Sequence, residues 1–140
     1  MTPAAQLKKL LPAAVRDIRR RVLKRRLNPL VPALDVELHV DRRGARFLVY
    51  EMDGKGNQFS VEKDGTIYLG GFFPALSKAL RFGRNVEFEE LEAPLIRWFR
   101  KAWAQAGGAR FRLPATLRIH DDIKEYVLSK GSPVSSRRAR

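Results

Sequence analysis

Leu34-Asp35-Val36-Glu37-Leu38-His39-Val40 alternates apolar and polar residues without a break. Successive strand side chains point to opposite faces, so this period of two reads as a strand with one buried and one wet face. Asp41-Arg42-Arg43-Gly44 supplies a turn, and 46–52 (RFLVYEM) returns as a β-rich run, apolar on both faces, as in a central strand. Beyond it, Asp53-Gly54-Lys55-Gly56-Asn57 reads as a loop. Residues 58–62 and 66–69 read as strands joined by the hairpin signal Asp64-Gly65. The short connections predict an antiparallel meander.

The period changes on either side. Leu7, Leu11, Ala14, Val15, Ile18 and Val22 recur at spacings of three and four, the stripe of an amphipathic helix over about 5–27. Pro12 falls inside it, predicting a short helix near 4–10 and a longer one from about 12 to 27, stopped by Asn28-Pro29. Pro74 to Phe82 reads as a short helix ended by Gly83. Leu95, Ile96, Trp98, Phe99, Ala102 and Trp103 predict an apolar helix over 94–106, with Pro94 at its first position and Gly107-Gly108 closing it. Strands near 116–120 and 124–128 extend the sheet. The order predicts one α+β domain over 1–130: an antiparallel sheet of about four to six strands packed by a basic N-terminal helix and the 94–106 helix. A polar, basic tail over 131–140 has nothing to bury.

Charge is segregated along this frame. The chain has 140 residues and a formal charge of +13. Its first 27 residues carry nine Lys/Arg against one acid, Asp17, while residues 28–129 are nearly neutral. Lys130, Arg137, Arg138 and Arg140 make the other end basic. A clustered field attracts anions in a way that scattered charge does not. There is no cysteine, which excludes disulfides, thiolate zinc sites and cysteine nucleophiles. No apolar run is long enough to span a bilayer, and the N-terminus lacks the separate apolar core of a secretory signal. Residues 5–27 share Arg enrichment and amphipathicity with mitochondrial transit peptides but contain no Ser. These features, with an Ala, Arg and Leu bias, fit a cytoplasmic bacterial protein.

Motifs narrow the chemistry mainly by exclusion. There is no GxxxxGK[ST], G-x-S-x-G or HExxH, and Gly54-Lys55-Gly56 lacks the third glycine and following helix of a dinucleotide loop. A calcium loop opening at Asp53 would need an acid at 55 and glycine at 58, where the chain has Lys55 and Gln58. The Arg97–Trp103 run mixes bases with aromatics that could stack on nucleobases, but its spacing is that of a packed core stripe. His120-Asp121-Asp122 is the one place where histidine meets carboxylates. Adjacent strand residues diverge, so it reads as turn chemistry before a metal or acid–base site. His39, on the wet face of its strand, carries no further signal.

The reading that follows is a non-catalytic protein that needs no cofactor or metal. It binds an anionic macromolecule through Arg16, Arg19, Arg20, Lys24 and Arg25, helped by Arg137, Arg138 and Arg140. Nucleic acid ranks slightly ahead of an acidic protein, and a membrane surface ranks last. Size and topology also match the class of small bacterial immunity proteins that neutralise a partner toxin. Small basic ribonucleases are a third class, since they place such groups as His39, Arg46, Tyr50, Tyr68 and His120 on an antiparallel sheet packed by helices.

Overall fold

A computed structural model describes residues 2–42, 44–83 and 86–131. The basic tail expected beyond Gly131, and with it Arg137, Arg138 and Arg140, lies outside the described residues.

The chain begins with α1 (Pro3–Ile18), which runs directly into a π-helical turn over Arg19–Leu23. Thr2 caps it by accepting the Ala5 N–H at 3.2 Å, and Pro3 takes the first turn, where no N–H is needed. The sequence predicts a break at Pro12 and helix to about 27, but the helix runs through Pro12 and ends at Leu23. Pro12 and Lys8, whose carbonyl loses its helical donor, are both exposed, so water can serve that carbonyl. The apolar stripe Leu7, Ala14, Ile18 and Val22 is fully packed, which holds the helix in one piece.

The strands are β1 (Ala33–Asp41), β2 (Gly44–Met52), β3 (Ser60–Lys63), β4 (Thr66–Leu69), β5 (Phe72–Pro74), β6 (Leu80–Arg81), β7 (Pro114–Ile119) and β8 (Glu125–Lys130). The main sheet runs β5-β2-β1-β7-β8, with β6 also on β2, and β3-β4 form a separate hairpin. Its turn is the expected Asp64-Gly65, both residues at positive φ. The fold is α+β. One pairing departs from the expected meander: β7 lies parallel to β1, with Leu34 opposite Ala115 and Leu38 opposite Ile119. A parallel neighbour needs a long crossover, and α2 (Phe88–Gln105) lies within it.

α2 starts earlier than predicted, placing Glu89 and Glu90 in its first turn. Pro94 is therefore internal, and the carbonyl it deprives belongs to exposed Glu90. Gly107, at φ 95°, ends the helix in the left-handed conformation expected of a glycine cap. The helix expected over 74–82 is absent: β5, an irregular link and β6 occupy it. Backbone groups there find distant partners instead, with Ala75 N–H bonded to Phe47 O at 2.9 Å and Ser77 N–H to Asp17 Oδ2 at 2.9 Å. Buried Ala75, Leu76 and Leu80 need that extended path to reach the core.

The core lies between the two helices and one face of the sheet. Phe47 stacks on Phe99 at 4.2 Å, and the chain Phe99, Trp103, Phe111 continues the aromatic packing. Trp98 donates its indole N–H to the Leu7 carbonyl at 2.7 Å, tying α2 to α1. Both tryptophans are thus core residues, as their spacing predicts.

Candidate functional site

The sheet face opposite the helices carries the polar half of the β1 alternation. Asp35, Glu37 and His39 all point there. Parallel β7 brings a matching row, Thr116 beside Asp35 and Arg118 beside Glu37. His120 follows at the strand end, its N–H held by Leu38 O at 2.9 Å. Arg46 and Tyr50 of β2 are the register partners of His39 and Asp35. Asp35 and Glu37 are buried, only 6% and 9% exposed.

Two subsets share this cluster. In the first, Arg118 bridges two carboxylates, its Nε 2.8 Å from Asp35 Oδ2 and its Nη2 2.5 Å from Glu37 Oε1. Thr116 donates its hydroxyl to Asp35 Oδ1 at 2.9 Å. In the second, the other Glu37 oxygen, Oε2, lies 3.2 Å from His39 Nε2 and 3.3 Å from His120 Nδ1. The two imidazoles stack with centroids 4.3 Å apart. His120 Nε2 faces Asp121 Oδ2 at 3.3 Å. His39 Nε2 is shielded from solvent and makes no aligned hydrogen bond, despite its proximity to Glu37.

Burial shapes the protonation of these groups. It raises the Asp35 carboxyl above its ordinary pKa, ahead of the lowering effects of Thr116 and Arg118. It lowers His39, reinforced by neighbouring His120 and opposed by Glu37, which favours neutral imidazole. Burial works against the Arg118 cation, but Asp35 and Glu37 outweigh it and hold the guanidinium charged. Tyr50 is raised by burial and by both carboxylates.

The basic residues read from the sequence lie elsewhere, at the far end of α1. Arg16, Arg19, Arg20, Lys24 and Arg25 are exposed, but they are not equivalent. Arg19 reaches the Ala106 and Gln105 carbonyls at 3.4 and 3.3 Å, closing the end of α2. Arg25 lies over the Phe73 ring at 3.8 Å. Arg16 and Arg20 line a groove with Lys78, and Lys24 lines a cleft with Arg19, Arg110 and Arg112. Among the described residues, no carboxylate is ion-paired with Arg16, Arg20, Lys24, Arg110 or Arg112.

Arg16, Arg20 and Lys24 remain open surface, while Arg19 and Arg25 have partners within the fold. Arg110 and Arg112, passed over in the sequence, join them because the turn after α2 returns beside the α1 terminus. His39 and His120, read separately as a solvated residue and a turn residue, meet at Glu37. His120-Asp121-Asp122 does form a turn, with Asp122 N–H on Ile119 O at 3.0 Å and Asp121 at φ 65°. Of the residues proposed for a ribonuclease-like surface, His39, Arg46, Tyr50 and His120 share this face, while Tyr68 sits on the β3-β4 hairpin. No family model, curated protein or solved structure matches this chain.

Proposed function

We propose that the protein binds the phosphate backbone of a nucleic acid along the basic edge formed by α1, its π turn and the segment after α2. The observation that supports this is the unpaired cleft: Lys24, Arg110 and Arg112 converge from distant parts of the chain with no acidic residue among its lining. Arg16, Arg20 and Lys78 extend the positive surface along α1 around Asp17, whose carboxylate accepts from the Ser77 N–H and hydroxyl. The apolar stripe of α1 is packed in the core, so it has no free face to lay on a bilayer. No described helix is long and apolar enough to cross a membrane.

The test is fluorescence anisotropy on labelled oligonucleotides across a salt series. With Arg16, Arg20, Lys24, Arg110 and Arg112 each neutralising one phosphate, log K falls with log salt at a slope of about −4.5 on duplex DNA or about −3.5 on a single strand. The triple variant R16Q/R20Q/K24Q flattens the duplex slope by about 2.7. Salt-insensitive binding, or no change in the variant, refutes the reading.

A protein partner is the second reading, favoured by an apolar surface on β4 and β5. Ile67 and Leu69, alternate residues of β4, are 64% and 67% exposed, and nearby Phe72 is 63% exposed. A toxin-neutralising protein would use such a patch. A nuclease-resistant stoichiometric complex lost in I67S/L69S but kept in R16Q/R20Q/K24Q would establish it over nucleic acid. The ribonuclease reading gains less. Glu37, His39 and His120 already touch one another, whereas in-line displacement at phosphorus needs acid and base on opposite sides of the scissile bond.

A further inference from the structure

We propose that Glu37, His39 and His120 form a binding site for one Zn²⁺-type transition-metal ion on the open face of the sheet. This inference is independent of the nucleic-acid reading, since none of its residues lies on the basic edge.

Four features of the cluster converge. First, one donor atom from each of the three residues lies within 4.8 Å of the others. Zinc–nitrogen and zinc–oxygen bonds of 2.0–2.2 Å at tetrahedral angles place neighbouring donors about 3.3 Å apart. Glu37 Oε2 is 3.2 Å from His39 Nε2 and 3.3 Å from His120 Nδ1, so two edges of that tetrahedron already exist. Second, His39 Nε2 is removed from solvent and has only Glu37 Oε2 beside it, at 3.2 Å and poorly aligned for a hydrogen bond. A shielded polar atom without an aligned partner calls for an explanation, and an ion at the centre of that tetrahedron provides one. Third, the outer contacts orient the donors. His120 presents Nδ1 inward while Nε2 faces the Asp121 carboxylate at 3.3 Å, the carboxylate–histidine arrangement found behind metal ligands. Arg118 occupies Glu37 Oε1 and leaves Oε2 toward the histidines. Fourth, the charges balance in favour of a cation. Arg118 is matched by Asp35, which leaves the Glu37 charge for the ion, while Arg46 opposite His39 is exposed to water.

Two imidazoles and one carboxylate suit zinc and its transition-metal neighbours rather than calcium or magnesium, which prefer all-oxygen shells. The His120 side chain is half exposed, so the fourth position opens to solvent. A water or a ligand atom would complete the shell there, as in zinc sites that keep a reactive position.

The test uses the full chain, stripped with EDTA and titrated with ZnCl₂ by calorimetry. One Zn²⁺ binds per chain. D121N weakens binding by about 10–100-fold, and H120N weakens it further than that. The chain has only two histidines and no cysteine, so no rival nitrogen–sulfur site exists. Imidazole ¹⁵N NMR on the native protein supplies the readout that needs no variant. Zinc shifts His39 Nε2 and His120 Nδ1 as ligating atoms and fixes the His120 proton on Nε2. Absence of saturable binding overturns the proposal, and so does binding that H120N leaves unchanged or zinc shifts on the opposite nitrogens.

Discussion

Replacing Arg118 by methionine isolates the energetic role of the bridging guanidinium. The arginine is one-third exposed, whereas the side chains it bridges, Asp35 and Glu37, are 8% and 12% exposed. Methionine keeps the aliphatic stem and deletes two charge-assisted hydrogen bonds. Breaking a buried pair by removing one partner costs about 3–5 kcal/mol, because the remaining charge is left uncompensated. Water already reaches Arg118 and would rehydrate part of the site, so the expected loss falls just below that range, at about 2–3 kcal/mol. Urea denaturation followed by circular dichroism at neutral pH in EDTA measures it. A cycle through D35N and D35N/R118M should return a coupling above about 1 kcal/mol. Burial already lifts the Asp35 pKa above its unfolded value, and removing the cation lifts it further. A raised carboxyl favours the folded state when protonated. That advantage is complete below the unfolded pKa and disappears as pH rises through the folded one. The R118M deficit should therefore shrink as pH falls from neutral toward the carboxylate range. A deficit within about 0.5 kcal/mol, the range of ordinary surface changes, would show the cluster to be solvated and the argument wrong.

Other perturbations separate the remaining roles. W98F keeps a buried ring but loses the hydrogen bond to the Leu7 carbonyl and part of the ring volume, so thermal and urea melts should report a loss of about 2–3 kcal/mol. R19Q, which uncouples α1 from the end of α2, should lower stability by about 0.5–1 kcal/mol. R20Q should leave stability within about 0.5 kcal/mol and weaken oligonucleotide binding instead. The apolar replacement D35L/E37M/R118M should match or exceed native stability in EDTA and fail to bind Zn²⁺ by calorimetry. A large stability loss in that triple variant would make the cluster structural.

Local signals carried much of the fold. The alternation of β1, the Asp64-Gly65 turn and the Trp98/Trp103 stripe each rest on spacings within a few residues, and each element formed, although α2 begins at Phe88 instead of at Pro94. The failures share a cause. Pro12 and Pro94 resemble helix boundaries in isolation, but both sit inside helices whose buried stripes outweigh one lost hydrogen bond. Residues 74–82 have helical character locally, yet Phe47 and Asp17 supply their backbone partners from far away in the chain. The histidine cluster was half legible. Period two puts Glu37 and His39 on one face, and Thr116, Arg118 and His120 repeat that spacing with complementary chemistry. Only the parallel β1–β7 register joins the two rows, and no short-range pattern encodes a pairing across so long a crossover.

The wet face of β1 is not what an exposed strand face requires. A solvated face would carry Lys, Thr or Glu directed into water, each indifferent to its neighbours. Here two carboxylates are withdrawn from solvent beside one guanidinium, and a histidine nitrogen is shielded with no aligned partner. Burial of ionic groups in this way contributes little net stability, since desolvation offsets the attraction. Asp35 bears the sign of that cost, because its pKa is raised even with Arg118 in contact. An arrangement that stability alone does not favour needs a further reason to persist, and the directions of the side chains supply one. Arg118 engages the Glu37 oxygen that faces away from the histidines, and Asp121 engages the His120 nitrogen that faces away from Glu37. Each outer contact turns the inward atoms toward one another, with Glu37 Oε2 3.2 Å from His39 Nε2 and 3.3 Å from His120 Nδ1, the spacing of donors about one tetrahedral ion.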